Sequence, residues 1–406
     1  MKIGIVGLGY VGLVTAAVLA EQGHYVIGVD IDENKVNGLR CNRSPIYEPG
    51  LDELLLKNSK RLTYTTNYLE LADVDLAFIT VSTPTINNRI YLEYVFSAAK
   101  SLGNVLRKDS IIVIKSTVVP GTARKVKELA RREVVSNPEF LREGNAIQDT
   151  LHPDKVVIGS DSKEAGDIVE EVWKFTRAPV IRTSLEEAEL MKYAANSFLA
   201  VKISFINEIA NLCERIPNCD VKNVAYAIGL DKRISPHFLN AGLGYGGSCF
   251  PKDTLAITSF ARDLGEVLRI VEASIEVNNE RPLRAVKMLK DLMGGLKDRT
   301  ICLLGLSFKP NTDDTRESVA IKIVELLQRE GANVVAYDPK ARANVTQVKT
   351  IEECVNMAEG VIIATEWDEF KGIENLLKDK YVVDGRKVLD PTKMDRKKFR
   401  AIGLSW

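Results

Sequence analysis

Several residue types and patterns are scarce in this chain of 406 residues, and each scarcity excludes a class of protein. Only three histidines occur, so we expect neither a histidine-rich metal site nor a histidine proton relay. Basic and acidic residues balance at 55 each, which leaves no electrostatic footprint for nucleic acid or an anionic membrane. No apolar run is long enough for a membrane span, and a strand follows Met1 directly, so no signal peptide is expected.

Cysteine and glutamine are also rare. The six cysteines are scattered without a CxxC pair, so we do not expect a metal centre. We expect the thiols to be reduced and the protein to be cytoplasmic. Glutamine is rarer still, a composition typical of proteins from thermophiles. The length is sufficient for two or three domains, each with its own core.

What the chain does contain begins with a glycine fingerprint. An apolar strand, Lys2–Val6, is followed by Gly7, Gly9 and Gly12, an alanine-rich helix and a second strand that ends at Asp30. This order predicts a dinucleotide-binding Rossmann unit. We expect the first glycine to form the turn, the second to admit the pyrophosphate and the third to let the helix pack on the sheet.

The acid at the end of the second strand indicates which dinucleotide is bound. Asp30 is expected to bind the adenosine ribose hydroxyls and to repel a 2′-phosphate, which favours NAD over NADP. Lys35 lies nearby in the sequence and leaves NADP open. Two later strands end in polar residues, so Thr83, Pro84 and Thr117 are candidate cofactor contacts, with helix capping as their alternative role.

Residues 242–253 read Gly-Leu-Gly-Tyr-Gly-Gly-Ser-Cys-Phe-Pro-Lys-Asp. Four glycines let the backbone approach a ligand closely, and Pro251 indicates that a helix begins there. A cysteine at a helix N-terminus favours the reactive thiolate, so Cys249 is a candidate nucleophile, with Asp253 pointing back from the first turn. The alternative is a glycine-rich turn around an inert, buried cysteine.

Other candidate residues lie on predicted helices. Glu139 and Glu143 are four apart, so a helical turn would place both carboxylates on one face; a solvated acidic first turn is the alternative. A capping box at Ser184 predicts a helix over residues 185–215, with Lys192 and Asn196 on one face. A second helical run covers residues 266–292, and its internal proline at 282 is expected to bend or interrupt it.

The last part of the chain repeats the first. Residues 300–305 restate the opening strand and glycine, and residues 330–338 parallel residues 22–30. The fold class predicted is therefore α/β, with two Rossmann-like doubly wound domains joined by an all-helical middle domain with a long bridging helix. We place the domains at residues 1–184, 185–295 and 296–406.

Taken in order, these motifs resemble the UDP-glucose/GDP-mannose dehydrogenase family. The resemblance rests on the glycine fingerprint and on residues 137–144, 192–196, 246–253, 308–309 and 314–318, and it covers essentially the whole chain. Residues 47–50 and the Ser-Cys-Phe form of the cysteine loop favour UDP-glucose within the family. The resemblance implies that the first domain binds NAD, the middle domain forms a homodimer and the last domain binds UDP.

The resemblance also implies a double oxidation of the C6 alcohol to the carboxylate, UDP-glucuronate, through a thiohemiacetal and a thioester on Cys249. Lys192 and Asn196 would stabilise the C6 oxyanion. Asp253 and Thr117 would handle the catalytic water, and Glu139 would assist hydrolysis.

The expected binding residues form two sets, one for the cofactor and one for the substrate. The expected cofactor contacts are Gly7, Gly9, Tyr10, Val11, Gly12, Asp30, Lys35, Thr83, Pro84, Thr117, Glu143 and Arg316. The expected substrate contacts are Glu139, Phe140, Leu141, Lys192, Asn196, Arg233, Asn240, Gly244, Tyr245, Gly246, Phe308, Lys309 and Arg386.

Three alternatives stay open at this point. The same chemistry on GDP-mannose or UDP-N-acetylmannosamine keeps the mechanism and changes only the sugar nucleotide. A single-step hydroxyacid dehydrogenase shares the fold and a Lys-xxx-Asn pair, but one oxidation needs no nucleophile such as Cys249. A non-catalytic nucleotide-sugar sensor would not need the matched catalytic residues.

Overall fold

The computed structural model describes residues 1–406, and it divides into two compact units. The first unit comprises Met1–Ala195 with Leu255–Phe260, and the second comprises Asn196–Thr254 with Ala261–Trp406. The division into three domains at residues 184 and 295 therefore stays a prediction. None of the helices is both long and apolar enough to cross a membrane.

The chain contains sixteen strands and thirteen α-helices, besides four short 3-10 helices. The strands are β1 (Lys2–Val6), β2 (Tyr25–Val29), β3 (Leu62–Thr65), β4 (Leu76–Ile79), β5 (Thr85–Ile86), β6 (Arg89–Ile90), β7 (Ile111–Ile114), β8 (Glu133–Ser136), β9 (Val156–Ser160), β10 (Val180–Thr183), β11 (Thr300–Leu304), β12 (Asn333–Tyr337), β13 (Thr346–Gln347), β14 (Gly360–Ile363), β15 (Tyr381–Asp384) and β16 (Phe399–Ala401). The helices are α1 (Tyr10–Glu21), α2 (Glu33–Arg40), α3 (Leu51–Lys57), α4 (Glu93–Val105), α5 (Thr122–Ala130), α6 (Ala146–Leu151), α7 (Lys163–Trp173), α8 (Leu185–Cys213), α9 (Val221–Gly229), α10 (Phe250–Asp263), α11 (Arg269–Met293), α12 (Val319–Arg329) and α13 (Ile351–Met357).

The first unit contains an eight-stranded sheet in the order β10-β9-β8-β7-β4-β1-β2-β3. All neighbours pair in parallel except β8 and β9, and β5 with β6 forms a separate antiparallel hairpin. The strand order reverses on either side of β1, which is the switch point of a doubly wound sheet. The predicted Rossmann architecture of this part is confirmed.

Alternate residues of the central strands pack into different cores. On β4, Leu76 and Phe78 lie in one hydrophobic cluster, whereas Ala77 and Ile79 lie in another. Successive strand side chains point to opposite faces, so both faces of this sheet are covered. This arrangement explains why the central strands read as nearly continuous apolar runs.

The second unit contains a six-stranded parallel sheet in the order β13-β12-β11-β14-β15-β16. It repeats the local structure of the first sheet. Gly7 and Gly305 both have φ of 98°, and their amides donate to Val29 and Tyr337 respectively, each over 2.8 Å. The predicted internal repeat is confirmed by this shared strand-to-turn geometry.

The two long helices were predicted with different success. The capping box of α8 is present, because Ser184 Oγ accepts from the Glu187 amide at 3.2 Å and Glu187 Oε2 accepts from the Ser184 amide at 3.0 Å. Of the two outcomes expected at Pro282, an interruption is wrong, since α11 continues through this buried residue, and a bend stays a prediction. Tertiary packing has outweighed the local cost of the missing amide.

The expectation of reduced thiols is contradicted by two disulfides in the second unit. Cys213 at the end of α8 is paired with Cys219, and Cys302 on β11 is paired with Cys354 on α13. Cys41 and Cys249 take part in neither disulfide. Scattered spacing concealed these pairs because the fold, not the sequence separation, brings their Cα atoms to 4.9 and 5.5 Å.

We expect the Cys302–Cys354 bond to stabilise the second unit measurably, because it closes a separation of 52 residues. For a loop of that length the entropic contribution is about 4 kcal/mol, so reduction should lower the melting temperature. Thiol titration in denaturant should find two reactive thiols before reduction and six afterwards. Six thiols before reduction would contradict the pairing, and Cys41→Ser serves as a control that should leave the melting temperature unchanged.

Candidate active site

The glycine turn after β1 has the geometry of a phosphate cradle. A Cβ at Gly12 would collide with the Gly7 carbonyl, so only glycine allows α1 to start this close to the strand. A Cβ at Gly9 would meet no atom within 4 Å, which leaves open space in front of the turn. No side chain caps α1, and its first-turn amides are therefore oriented to receive an anion. Tyr10 and Val11 begin the helix beside this opening.

Asp30 directly follows β2 and is held by three donors. Its Oδ2 accepts from the Leu8 amide at 2.8 Å and from Lys35 Nζ at 2.7 Å, and its Oδ1 accepts from the Asp32 amide at 3.1 Å. Asp32 caps α2. Lys35 had left NADP open as the cofactor. Its positive charge is paired with Asp30, the acid that favours NAD, and is thereby neutralised.

Two predicted cofactor residues meet at the ends of β4 and β7. Thr83 Oγ1 donates to the Thr117 carbonyl at 2.8 Å, and both residues are buried. Pro84 follows and is half-buried. Beyond this loop, Glu189 of α8 accepts from the Gly121 and Ala123 amides at 2.7 and 2.6 Å, and burial raises the pKa of Glu189 to about 7.

The expected helical turn at Glu139 and Glu143 is wrong. Residues 137–142 form no regular element, and the next helix, α6, begins only at Ala146. The Glu139 carboxylate instead accepts from the Leu141 amide at 2.8 Å, a local bond that competes with helix formation. Glu143 thus does not share a helical face with Glu139.

Glu139 lies in a buried charged cluster. Its Oε1 is 3.0 Å from Lys192 Nζ, and both side chains are almost fully buried. Lys115, at the end of β7, is also buried; its Nζ donates to Asn137 Oδ1 at 3.3 Å and lies 4.4 Å from the centre of the Trp173 ring. Burial lowers the pKa of Lys115 to about 8.

Aromatic contacts and a second carboxylate shape the surroundings of this cluster. Phe140 has Lys192 Nζ 5.4 Å from its ring centre, and Leu141 packs against the core of the first unit. Glu48, which sequence reasoning did not select, accepts from the Gly144 amide at 2.7 Å. The Tyr10 hydroxyl accepts from the same amide at 2.8 Å, so the loop next to Glu143 is tied to the start of α1.

In the second unit, Cys249 occupies the position directly before α10. The Asp253 amide donates to its carbonyl at 2.8 Å, and the Asp253 side chain is fully buried. That carboxylate accepts from Asn196 Nδ2 at 2.7 Å and from Lys252 Nζ at 2.5 Å. Three predicted catalytic residues of this unit, Cys249, Asp253 and Asn196, are thus brought together.

Side chains of α11 hold the glycine-rich loop before Cys249. The Tyr245 amide donates to Asn278 Oδ1 at 2.8 Å, and Asn278 Nδ2 donates to the Tyr245 carbonyl at 3.0 Å. The fully buried Arg281 donates to the Gly242 carbonyl at 2.9 Å, and burial lowers the pKa of Arg281 to about 10. Sequence reasoning missed both residues, since an amide and a cation on a long helix look like parts of its solvated face.

Several predicted substrate residues gather against the same loop. Arg386 Nη1 donates to the Gly244 carbonyl at 3.3 Å. The Phe308 ring would be only 2.6 Å from a Cβ at Gly247, a position with φ of 84°, so both space and backbone require glycine there. Gly246 also approaches Phe308, and Lys309 Nζ lies 5.6 Å from the same ring centre.

Three predicted residues lie at the surface instead. Arg233 is exposed and paired with Asp231 at 2.6 Å, Arg316 is exposed and paired with Asp314 at 2.5 Å, and Asn240 is exposed. Their predicted roles in substrate or cofactor binding stay predictions.

Comparison with protein families gives three consecutive matches. Residues 1–177 match the NAD binding domain of the UDP-glucose/GDP-mannose dehydrogenase family, residues 186–280 its central domain and residues 302–391 its UDP binding domain. Among curated relatives, the UDP-glucose 6-dehydrogenase TuaD of Bacillus subtilis is 44% identical, over 97% of this chain and 90% of its own. The UDP-glucose 6-dehydrogenase AglM of Haloferax volcanii is 40% identical, over 96% and 97%.

The chain belongs to the UDP-glucose/GDP-mannose dehydrogenase family. It is thus an NAD-dependent oxidoreductase, and the glycine turn with Asp30 falls in the family's NAD binding domain.

Solved structures agree with this membership. A UDP-glucose dehydrogenase from the hyperthermophilic archaeon Pyrobaculum islandicum is similar with a TM-score of 0.95 and 42% identity, covering 100% of this chain and 98% of its own. A UDP-D-ManNAc dehydrogenase from Pyrococcus horikoshii has a TM-score of 0.91 and 28% identity, covering 99% of each chain. The predicted family and fold class are confirmed.

Within this dehydrogenase, we expect Glu139→Ala to destabilise the first unit by about 3–5 kcal/mol, because it leaves buried ammonium groups without their carboxylate. Urea unfolding measures the loss. The exposed pair of Arg124 with Glu186 is the control, and Glu186→Ala should cost about 1 kcal/mol or less. Equal losses for the two variants would show that the buried pair has no special weight.

Proposed function

We propose that the protein oxidises UDP-glucose to UDP-glucuronate in two NAD-dependent steps. The observation that carries this proposal is the placement of Cys249 at the start of α10, one turn from a buried Asp253 that is bonded to Asn196. A helix N-terminus stabilises a thiolate, and a nucleophile is needed only when an aldehyde must be retained for a second oxidation. Relatives named UDP-glucose 6-dehydrogenase at 40–44% identity support the choice of sugar.

The residues of the first unit fit the adenine dinucleotide. The open space at Gly9 and the uncapped amides of α1 suit a pyrophosphate, and Asp30 suits the ribose hydroxyls. When bound, NAD supplies the hydride acceptor for each oxidation. Thr83, Pro84, Thr117 and Glu143 are the further contacts that we assign to it, and Arg316 is assigned from the second unit.

The first oxidation removes a hydride and a proton from the C6 alcohol and leaves an aldehyde. We assign Lys192 and Asn196 to the developing negative charge on O6, since fixed donors in a buried site stabilise an oxyanion without reorganising. The Lys192 ammonium is oriented for this role by Glu139, which holds it at 3.0 Å.

The second oxidation proceeds on the enzyme. The Cys249 sulfur adds to the aldehyde carbon, which gives a thiohemiacetal, and loss of a second hydride and a proton gives the thioester. Water then attacks the thioester carbon, and the carbon–sulfur bond breaks to regenerate the thiol and release the carboxylate. We assign Asp253, Thr117 and Glu139 to orienting and deprotonating this water.

The nucleotide-sugar contacts divide between the units. Glu139, Phe140, Leu141 and Lys192 of the first unit are assigned to the sugar end. The UDP end and further sugar contacts are assigned to the second unit: Asn196, Arg233, Asn240, Gly244, Tyr245, Gly246, Phe308, Lys309 and Arg386. The matched UDP binding domain supports a uridine diphosphate on residues 302–391.

A second candidate keeps the chemistry and changes the sugar to N-acetylmannosamine. It is favoured by the structural similarity to the UDP-D-ManNAc dehydrogenase of Pyrococcus horikoshii. The identity to that protein is 28%, against 42% for the UDP-glucose dehydrogenase of Pyrobaculum islandicum, so we rank UDP-glucose first.

The test is the yield of NADH per UDP-glucose consumed by purified protein. We expect two NADH per sugar nucleotide for the native protein, because each oxidation removes one hydride. Cys249→Ser should not complete the second oxidation, since a serine hydroxyl is a far weaker nucleophile than a thiolate and does not add efficiently to the aldehyde. Cys41→Ser, which changes the exposed free cysteine, is the matched control and should give two.

The outcomes separate the mechanism from the substrate. One NADH per sugar from the native protein would overturn the double oxidation. No turnover of UDP-glucose, together with turnover of UDP-N-acetylmannosamine or GDP-mannose, would leave the mechanism and correct the sugar.

We also propose that the protein is a homodimer through its central helices and acts in the cytoplasm. Along α8, Phe198, Phe205 and Leu212 are exposed by 65%, 49% and 57%. Their spacing of seven residues puts them in one apolar stripe on the helix, which is suited to a second copy of the same stripe. The middle domain at residues 185–295 remains our proposed dimerisation region.

Phe205→Glu should convert the dimer into a monomer, because the charge would be buried without a partner at the interface. Light scattering after gel filtration should show the mass fall from twice 45.0 kDa to 45.0 kDa. Leu56→Glu, at another exposed leucine on α3, is the control and should leave the dimer intact. A native protein that elutes as a monomer would contradict the proposal directly.

A further inference from the structure

Two buried lysines lie near a single buried carboxylate at the carboxyl end of the first sheet, and only one of them is paired with it. Glu139 pairs with Lys192 at 3.0 Å, and Lys115 has only the amide oxygen of Asn137 at hydrogen-bonding distance, 3.3 Å. All four side chains are buried. With both ammonium groups protonated, this cluster of Lys115, Asn137, Glu139 and Lys192 carries one more positive than negative charge.

Two neighbouring side chains, Asn137 and Trp173, hold the Lys115 ammonium in place, but neither carries a negative charge that would neutralise it. Asn137 Nδ2 donates to the Val157 carbonyl at 2.8 Å, which leaves Oδ1 as the acceptor for the lysine. The face of Trp173 stabilises a cation 4.4 Å away. The charges acting on Lys115 are Glu139, which favours its protonation, and Lys192, which opposes it.

A surplus charge in a buried site is costly unless an anion compensates it. Lys115 donates to no carboxylate, and Glu139 is already bonded to Lys192 and to the Leu141 amide. Among these four side chains, therefore, one positive charge has no negative partner, and a further negative charge nearby would stabilise Lys115. In the proposed reaction the C6 alcohol is neutral, whereas the C6 carboxylate of the product is that negative charge.

We propose that Lys115 is a specificity-determining residue, whose ammonium makes the site prefer the C6 carboxylate of the sugar nucleotide over the C6 alcohol. The inference rests on the proposed function, because it uses the same sugar subsite. Lys115 contacts Asn137 and the Trp173 ring, and we assign it no role in the oxidation itself.

The preference depends on pH in a defined direction. Burial lowers the pKa of Lys115 to about 8, so its charge is present below that pH and is lost above it. A bound carboxylate stabilises the ammonium, so binding of the product above about pH 8 is accompanied by uptake of a proton. The alcohol form has no such effect.

The test compares the affinities of UDP-glucose and UDP-glucuronate for the NADH-loaded protein by calorimetry, because this form holds no hydride acceptor and cannot oxidise UDP-glucose. For the native protein, the preference for UDP-glucuronate should fall about tenfold from pH 7 to pH 9, a difference of about 1.4 kcal/mol. Lys115→Met should show the weak preference at both pH values. Lys115→Arg, which keeps a permanent charge, should retain the strong preference at both.

A measurement on the native protein keeps the inference testable if the variants fail to fold. At about pH 8.5, the enthalpy of UDP-glucuronate binding should change with the ionisation enthalpy of the buffer, while that of UDP-glucose should not. The absence of proton uptake, or an unchanged pH dependence in Lys115→Met, would overturn the inference. Failure of both nucleotides to bind would instead refute the proposed function.

Discussion

The rest of the structure depends on one constraint, the burial of a largely parallel sheet under hydrophobic clusters on both of its faces. In the first sheet, alternate side chains of each central strand enter different hydrophobic clusters, so no polar residue is accommodated along the strands. Polar groups can therefore leave the strands only at their ends. Lys115 and Asp30 stand at such ends, as does Asp338 in the second sheet, and each is buried. These charged residues therefore lie at the edge of the hydrophobic core and not within it.

The two strand-end aspartates show how the constraint is satisfied. Asp30 accepts from the Leu8 amide at 2.8 Å, and Asp338 accepts from the Leu306 amide at 2.7 Å. Each carboxylate compensates backbone donors that the glycine turn leaves without a partner. The second turn lacks the glycine fingerprint but has the acid, so the acid's structural role does not depend on that fingerprint.

Much of the fold could be predicted from the sequence, because local sequence signals determine its strands, turns and helix ends. The strands, the glycine turns, the capping box at Ser184 and the position of Cys249 before a helix all follow from periodicity and spacing. The ion pair of Glu139 and the disulfides could not be predicted, since they depend on partners distant in sequence. Glu139 is paired with Lys192 of α8, and Cys302 of β11 is paired with Cys354 of α13.

The disposition of sulfur bears directly on the proposed chemistry. A thiolate nucleophile exchanges with any disulfide that it can reach, so a chain with both must keep them apart. Cys302 and Cys354 are fully buried in the core, and Cys213 is exposed by only 2%. Cys249 is half-buried and lies next to a loop of glycines that leaves its sulfur accessible to a small electrophile. The fold therefore buries these three disulfide sulfurs and leaves Cys249 only half-buried, a distribution that suits a covalent double oxidation.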